Sequence, residues 1–384
     1  MTASPRHLPV TLALGTTQTL AWASSYYLPA VMADVISRDI GVTPSTFFAA
    51  FSVALLVSAV IGPKVGRTID SLGGRRVLLL SNVFIAAGLV ALALAQSPIA
   101  LWLAWLLLGV GMGLGLYDAA FATLGRIFGT EARSSITAIT LIAGFASTIG
   151  WPLSQWGIAT IGWRETCLAW AAAHLLIGLP INSLLPTTDR TTSPAIIGPP
   201  AIVPWDRTMI LIAFAMASAW MVTAAMAAHL PRLLQSAGAS SSAAIAASIP
   251  IGPAQVMARV LEASVLKRVH PLVTARLATI AHPTAAAILI LFGPAAGAIF
   301  AILHGAGNGI LTIARGTVPL ALFGPENYGY RLGLIGAPAR VAQAAAPLLF
   351  GILIDDIGVW TLAVSAGLSL AALAALTFLS ASRK

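Results

Sequence analysis

The sequence predicts an all-α membrane protein, with twelve transmembrane helices arranged as two pseudo-symmetric six-helix bundles. Three observations predict it. Of 384 residues, 58% are hydrophobic and 9% charged, against roughly 25% charged in soluble globular domains. Apolar runs of about 20 residues, each long enough to cross a hydrocarbon core as a helix, recur from end to end. Several motifs then repeat in the same order at a nearly constant offset.

The runs fall at 8–33, 46–66, 76–95, 98–125, 134–158, 164–185, 206–230, 241–266, 272–293, 296–320, 331–354 and 358–380, and are called spans 1 to 12. Twelve spans in 384 residues leave no room for a soluble domain. The first run is too long for the h-region of a cleaved signal peptide and reads as a spanning helix. The single cysteine, Cys167, lies inside an apolar run. It excludes an intramolecular disulfide and argues against a thiolate metal cluster.

The net charge of +9 has two readings, a nucleic-acid partner or the basic cytoplasmic loops of a membrane protein. Its distribution favours the second. With the N-terminus inside, fifteen of the 21 Lys and Arg lie inside or at the inner edge, among them Arg6, Arg190, Arg383 and Lys384. Only Arg38, Arg164 and Arg232 lie outside, while Arg259, Arg315 and Arg340 sit within spans. Both termini are therefore expected in the cytoplasm. The Ala- and Gly-rich composition without sorting tails points to a bacterial inner membrane.

The longest interruption of hydrophobicity, "PTTDRTTSPAIIGPPAIVPWDR" at 186–207, is rich in Pro and Thr and lacks helical periodicity. It divides the chain into an N-terminal bundle (1–186), a cytoplasmic linker (187–205) and a C-terminal bundle (206–384). The halves share motifs. Gly109-Val110-Gly111-Met112-Gly113 in span 4 returns as Gly305-Ala306-Gly307-Asn308-Gly309 in span 10. Pro152 in span 5 matches Pro347 in span 11, and Leu28-Pro29 matches Leu230-Pro231. "IGPKVGRTIDSLGGRR" is echoed by "IGPAQVMARVLEASVLKR". Parallel six-helix repeats of this kind are a transporter architecture.

The loop "VGRTIDSLGGRR", residues 65–76, concentrates charge where little is found elsewhere. Gly66 permits close helix approach. Asp70, at the membrane edge, needs a cation or the amides of a helix N-terminus. Arg75 and Arg76 can form ion pairs or hold anionic headgroups. Gly66, Asp70, Gly73, Arg75 and Arg76 together resemble the signature loop of the major facilitator superfamily, with Ser71 and Gly74 departing from its usual pattern. The resemblance implies the major facilitator fold, alternating access, and a gating role for this loop as a latch on the inner side. Glu262 belongs to the echo of that loop, with Arg259, Lys267 and Arg268.

In that family the substrate lies near the midplane and spans 1, 4, 7 and 10 line its path. Gln18, Trp22, Ser25, Tyr26 and Pro29 share one face of span 1, turned to the cavity or to a partner helix. Span 4 offers Tyr117 and Asp118, and span 10 offers His304, Asn308 and Arg315. Charges inside a membrane are functional candidates. The spans hold three arginines, Arg259, Arg315 and Arg340, against the acids Asp118 and Glu262. The cationic excess calls for an anionic, carboxylate-like substrate held by a guanidinium fork. Gln343 lies one turn from Arg340. Basic residues on spans 8 and 11 resemble those of the monocarboxylate and oxalate–formate antiporter branches, although Gln255 stands where monocarboxylate carriers have Asp. Arg259 reads equally as a site residue and as a gate residue.

Asp118, Glu262, His304 and His229 are candidates for coupling to a proton. His229 and His304 read also as hydrogen-bonded structure. No metal-ligand spacing, cofactor fingerprint, nucleotide loop or catalytic cluster is present; "GVGMGLG" lies inside a span and serves packing. The reading is a secondary transporter and not an enzyme, expected as a monomer in the bilayer, moving a small organic anion with a co-transported proton as an option. The rival reading is an exporter of lipophilic compounds, built on Asp118 with Trp22, Tyr26 and Tyr117.

Overall fold

The computed structural model describes residues 7–187 and 203–380. The expected linker falls mainly on 188–202, outside the described residues, as do Arg6, Arg190, Arg383 and Lys384 of the charge pattern. Among the described residues, regular structure is helical throughout.

Span 1 is α1 (His7–Ala21), a π-helical turn (Trp22–Tyr26) and α2 (Pro29–Ile40). Spans 2 and 3 are α3 (Pro44–Leu72) and α4 (Gly74–Ala93). Span 4 is α5 (Pro98–Gly115) with α6 (Tyr117–Phe128), and span 5 is α7 (Ala132–Ala143) with α8 (Ala146–Thr160). Span 6 is α9 (Trp163–Ala173), a second π turn (His174–Gly178) and α10 (Leu179–Ser183). Span 7 is α11 (Arg207–Ser236), and span 8 is α12 (Ser241–Ser248) with α13 (Ile251–Ser264). Spans 9 to 12 are α14 (Pro271–Phe292), α15 (Gly297–Phe323), α16 (Tyr328–Ile357) and α17 (Thr361–Thr377).

Helix starts follow local chemistry. The side chains of Thr43, Ser97, Asp206 and Ser240 each accept a backbone N–H three residues on, and proline follows two of these caps. Among the described residues, eight continuous helical stretches are long and apolar enough to cross a membrane, three of them 63, 53 and 50 residues long. Even 50 residues of helix would measure about 75 Å, over twice a hydrocarbon core. Each of the three turns back at a glycine of positive φ: Gly129 (57°), Gly293 (66°) and Gly358 (55°). Each therefore makes two spans, and the interrupted first span completes twelve.

The chain sorts into two compact units, Met1–Val203 with Pro325–Ala337, and Pro204–Gly324 with Pro338–Lys384. The start of α16 thus belongs with the first unit, and the division falls at Pro338. In the first unit Trp105 is fully buried, with Phe47 and Phe51 edge-on at 5.4 and 5.2 Å. The second is centred on Leu230, Leu233, Phe300 and Phe350.

The repeated glycines do the same work in each unit. A Cβ on Gly109 would come 2.6 Å from the Ala54 carbonyl oxygen of span 2, and one on Gly111 2.6 Å from Ile85 of span 3. In the second unit, Gly305 meets the Ile251 carbonyl of span 8 and Gly307 the Ala278 carbonyl of span 9, both at 2.6 Å. Side-chain-free faces let the backbones of neighbouring spans approach this closely.

Candidate functional site

Asp70 lies in the last turn of α3, and its carboxylate meets the first turn of α16. Oδ1 accepts the N–H of Gly329 at 2.8 Å and Oδ2 the N–H of Tyr330 at 2.7 Å. The first N–H groups of a helix have no partner within it and carry the positive end of its dipole, so a carboxylate there satisfies two donors and a partial charge together. The side chain whose charge reaches Asp70 is Arg126, at the end of α6. Arg67 places its guanidinium over the Tyr330 ring, 4.0 Å from the centroid. Among the described residues, Arg75 and Arg76 make no ion pair.

Beside this contact the two helices come close enough for backbone to meet backbone. A Cβ on Gly66 would land on the Gly329 carbonyl, and one on Gly333 would come 2.5 Å from the carbonyl oxygen of Gly62. Gly62 and Gly66 on α3 thus face Gly329 and Gly333 on α16, two small-xxx-small faces in register. Tyr328, fully buried, fills the space left by Gly125 of α6. Gly73 takes φ 81° between α3 and α4, and a side chain there would be strained.

Elsewhere in the first unit, Gln18 and Tyr117 flank the break in span 4. Leu116 is extended between α5 and α6, which frees the Gly115 carbonyl, and Gln18 Nε2 donates to it at 2.5 Å. Trp22 sits within an aromatic cluster, its ring centroid 5.0 Å from Tyr26, edge-on, and 4.8 Å from Tyr117, tilted. Asp118 is buried in the first turn of α6. The π turn that carries Trp22 and Tyr26 is held by Ser24, whose hydroxyl lies 2.7 Å from His174 Nε2; His174 Nδ1 lies 2.9 Å from Asn82 Oδ1.

In the second unit, Arg259, Glu262, Arg315 and Arg340 are all at least nine-tenths buried. Arg259 and Glu262 lie three residues apart on α13, within reach along one helix face. Arg315 lies over Trp220 of α11, 5.0 Å from the ring centroid. Arg340 and Gln343 are buried on α16, just beyond Pro338. Asn308 Oδ1 accepts from Thr223 at 3.0 Å. His229, partly buried in the last third of α11, contacts the Pro347 carbonyl oxygen at 2.7 Å. His304 faces His282, their Nδ1 atoms 3.0 Å apart.

Sequence reasoning passed over four of these residues. Gly62, Gly329 and Gly333 sit in the small-xxx-small pattern, which was the available signal. His282 is a single polar residue in an apolar run, and nothing in its own stretch announces His304.

A duplicated, twelve-span helical plan is that of a membrane transporter and not of an enzyme. The chain belongs to the Major Facilitator Superfamily, whose family model matches residues 14–302. Its fold resembles the human organic anion transporter MFSD10 (TETRAN), with TM-score 0.73, 16% identity, and 97% of this chain and 100% of that one covered. It also resembles the E. coli fucose:proton symporter FucP, with TM-score 0.75, 13% identity, and 98% and 99% covered. In sequence it is 32% identical over 156 residues to a Thermoproteus tenax protein described as an uncharacterized 38 kDa protein in the 23S RNA operon. That match spans 40% of each chain.

Proposed function

We propose that this transporter carries a small organic anion, of carboxylate type, by alternating access and without ATP. The observation that carries the reading is the charge buried in the second unit: three guanidinium groups, Arg259, Arg315 and Arg340, against one buried carboxylate, Glu262. A low-dielectric interior disfavours net charge, and an anion bound there offsets it. A carboxylate also matches the guanidinium fork. Arg340 is the principal binding residue, helped by Arg315 or Arg259, with Gln343 and Asn308 as hydrogen-bonding neighbours. Gln18, Tyr26 and Tyr117 select shape. The Asp70 loop, with Gly66, Gly73, Arg75 and Arg76, acts as a latch in the cycle, and Glu262 with Arg259 takes the corresponding place in the second half. MFSD10, which shares the fold, is described as an organic anion transporter. The charge pattern supports cytoplasmic termini and a cytoplasmic linker over 187–205, the Ala- and Gly-rich composition supports a bacterial inner membrane, and the monomer is taken as the working unit.

A second reading, export of lipophilic compounds, draws on the Trp22, Tyr26 and Tyr117 rings beside the buried Asp118. Uptake into proteoliposomes separates the two. Lactate, oxalate and benzoate are compared with cationic dyes. Transport of at least one carboxylate is expected; movement of cations alone overturns the anion reading.

A further inference from the structure

The interior of the second unit holds a small cavity with room for water-sized molecules, lined on its polar side by Thr223, Thr279, His282, His304, Asn308 and Ser369. These residues come from α11, α14, α15 and α17, the helices of spans 7, 9, 10 and 12.

The contacts allow one arrangement in which every N–H and O–H of Ser365, His282 and His304 has a partner when both rings are neutral. In it the Ser365 hydroxyl donates to the Leu362 carbonyl at 3.0 Å, and its oxygen accepts from His282 Nε2, 2.9 Å away. His282 therefore carries its proton on Nε2, and its Nδ1 is a bare acceptor. The Nδ1 of His304, 3.0 Å from that atom, must be the donor. The remaining nitrogen, His304 Nε2, is left with a lone pair. Among the described residues nothing partners it, and His304 lines the cavity.

We propose that His304 Nε2 is a proton-binding site, filled from this cavity, that couples proton uptake to transport of the anion. Three features of the geometry support it. A proton added at Nε2 breaks no existing hydrogen bond, because His304 Nδ1–H continues to donate to His282. The chain beyond His282 ends at a main-chain carbonyl, so the proton enters and leaves by the cavity. The first unit supplies a contrast: His174 uses both ring nitrogens, on Ser24 and Asn82, and is fully buried. It has no nitrogen to offer.

Among the described residues, no acid on the four helices that line the cavity balances the added proton. Among the described residues α11, α14, α15 and α17 carry no Asp or Glu, and α17 and α12 carry no titratable group. On α11, Arg207 lies over Phe378, His229 is on the Pro347 carbonyl, and Arg232 is paired with Asp355. On α14, Arg276 is held by the Leu376 and Leu379 carbonyls; on α15, Arg315 lies over Trp220. Packed against α15, α13 brings Arg259 and Glu262, both buried. Protonation of His304 thus adds positive charge to a unit already rich in it. An anion bound in the same protein offsets that charge, so each ligand raises the affinity for the other, by reciprocal linkage. The outcome is co-transport of one proton with one anion, with the proton drawn from water. This inference rests on the anion reading above.

The test uses the full chain in proteoliposomes, with lactate, oxalate and benzoate as probes and a pH dye inside. In the wild type, an inward proton gradient is expected to raise carboxylate accumulation at least tenfold and to acidify the lumen. In His304→Gln, carboxylate exchange at equal pH should stay within a few-fold of wild type while gradient-driven accumulation is lost. Accumulation by His304→Gln equal to wild type overturns the proton site and leaves the anion reading standing. No carboxylate transport by the wild type overturns the anion reading and the coupling with it. Should the variant fail to fold, 15N spectra of histidine-labelled wild-type protein decide. Added carboxylate should convert one bare Nε2 to a protonated one at constant pH, and spectra that carboxylate leaves unchanged overturn the proposal.

Discussion

The carboxylate of Asp70 accepts the backbone N–H of Tyr330 at 2.7 Å, across 260 residues of sequence. A residue at the end of the second span thereby closes the start of the eleventh. Because the interaction joins a charge to a helix dipole, it depends on ionisation of Asp70, while the surrounding packing depends on size alone. The two can be separated by mutation.

Asp70→Asn keeps the size and one acceptor oxygen but removes the charge, and its amide turns a donor towards a helix N–H. The loss is about 1–2 kcal/mol. Transport in proteoliposomes should slow by roughly five- to thirtyfold at that cost, with substrate affinity within a few-fold. A large fall in affinity at normal turnover would place Asp70 in the binding site instead.

Gly66→Ala and Gly333→Ala set a methyl group against the backbone of the facing helix. Overpacking of this kind costs about 1–3 kcal/mol, read as a lower unfolding temperature in detergent. Gly252→Ala is the control, since nothing lies within 4 Å of its added Cβ. Equal melting of all three variants would show that the α3–α16 contact is loose.

Arg340→Lys keeps the charge and loses the fork, so it should weaken carboxylate binding and retain some transport. Arg340→Gln removes a charge-assisted bond contributing about 1.5–3 kcal/mol, or roughly ten- to a hundredfold in affinity. Binding by the Gln variant at wild-type strength would remove Arg340 from the site.

Arg276 tests a structural role. Its guanidinium donates to the carbonyls of Leu376 and Leu379, at 3.0 and 2.6 Å, and so caps the end of α17. Arg276→Gln should lower the unfolding temperature, while the ranking of carboxylates in the uptake assay stays the same. A changed ranking would assign Arg276 to substrate selection.

Cysteine labelling addresses topology. Cys167 is fully buried, so Cys167→Ser provides a clean background. A cysteine introduced at Ser193 should react only from the cytoplasmic side, and reaction only from outside would invert the orientation.

The twelve spans were legible because hydropathy is summed over about 20 residues, and one or two polar residues do not erase the signal. Their interruptions were not. The breaks at Leu116 and between Tyr26 and Pro29 lie inside apolar runs and depend on what packs beside them, as Gln18 does on the Gly115 carbonyl. For Asp70 the sequence narrowed the partner to a cation or a helix N-terminus, and the fold supplies the N-terminus. Gly329 and Gly333 escaped notice because "NYGYRLG" reads as a polar entry to a span until α3 is laid against it. His282 shows the limit most plainly. One histidine in an apolar helix carries no mark of its partner 22 residues away, and only the fold joins them.

The receiving half of the Asp70 contact is main chain, and this has a genetic consequence. Codon changes at position 330 replace the side chain, yet every substitution except proline leaves an N–H in place. A screen for loss of this contact will therefore recover alleles at residue 70, and at Gly329 where a side chain does not fit, far more often than at residue 330. Second-site revertants of an Asp70 allele have no complementary side chain to alter at the amides and must arise elsewhere, with Arg126 the nearest candidate. Heredity thus reaches this lock through the charge at residue 70 and the smallness of residue 329, and hardly through residue 330.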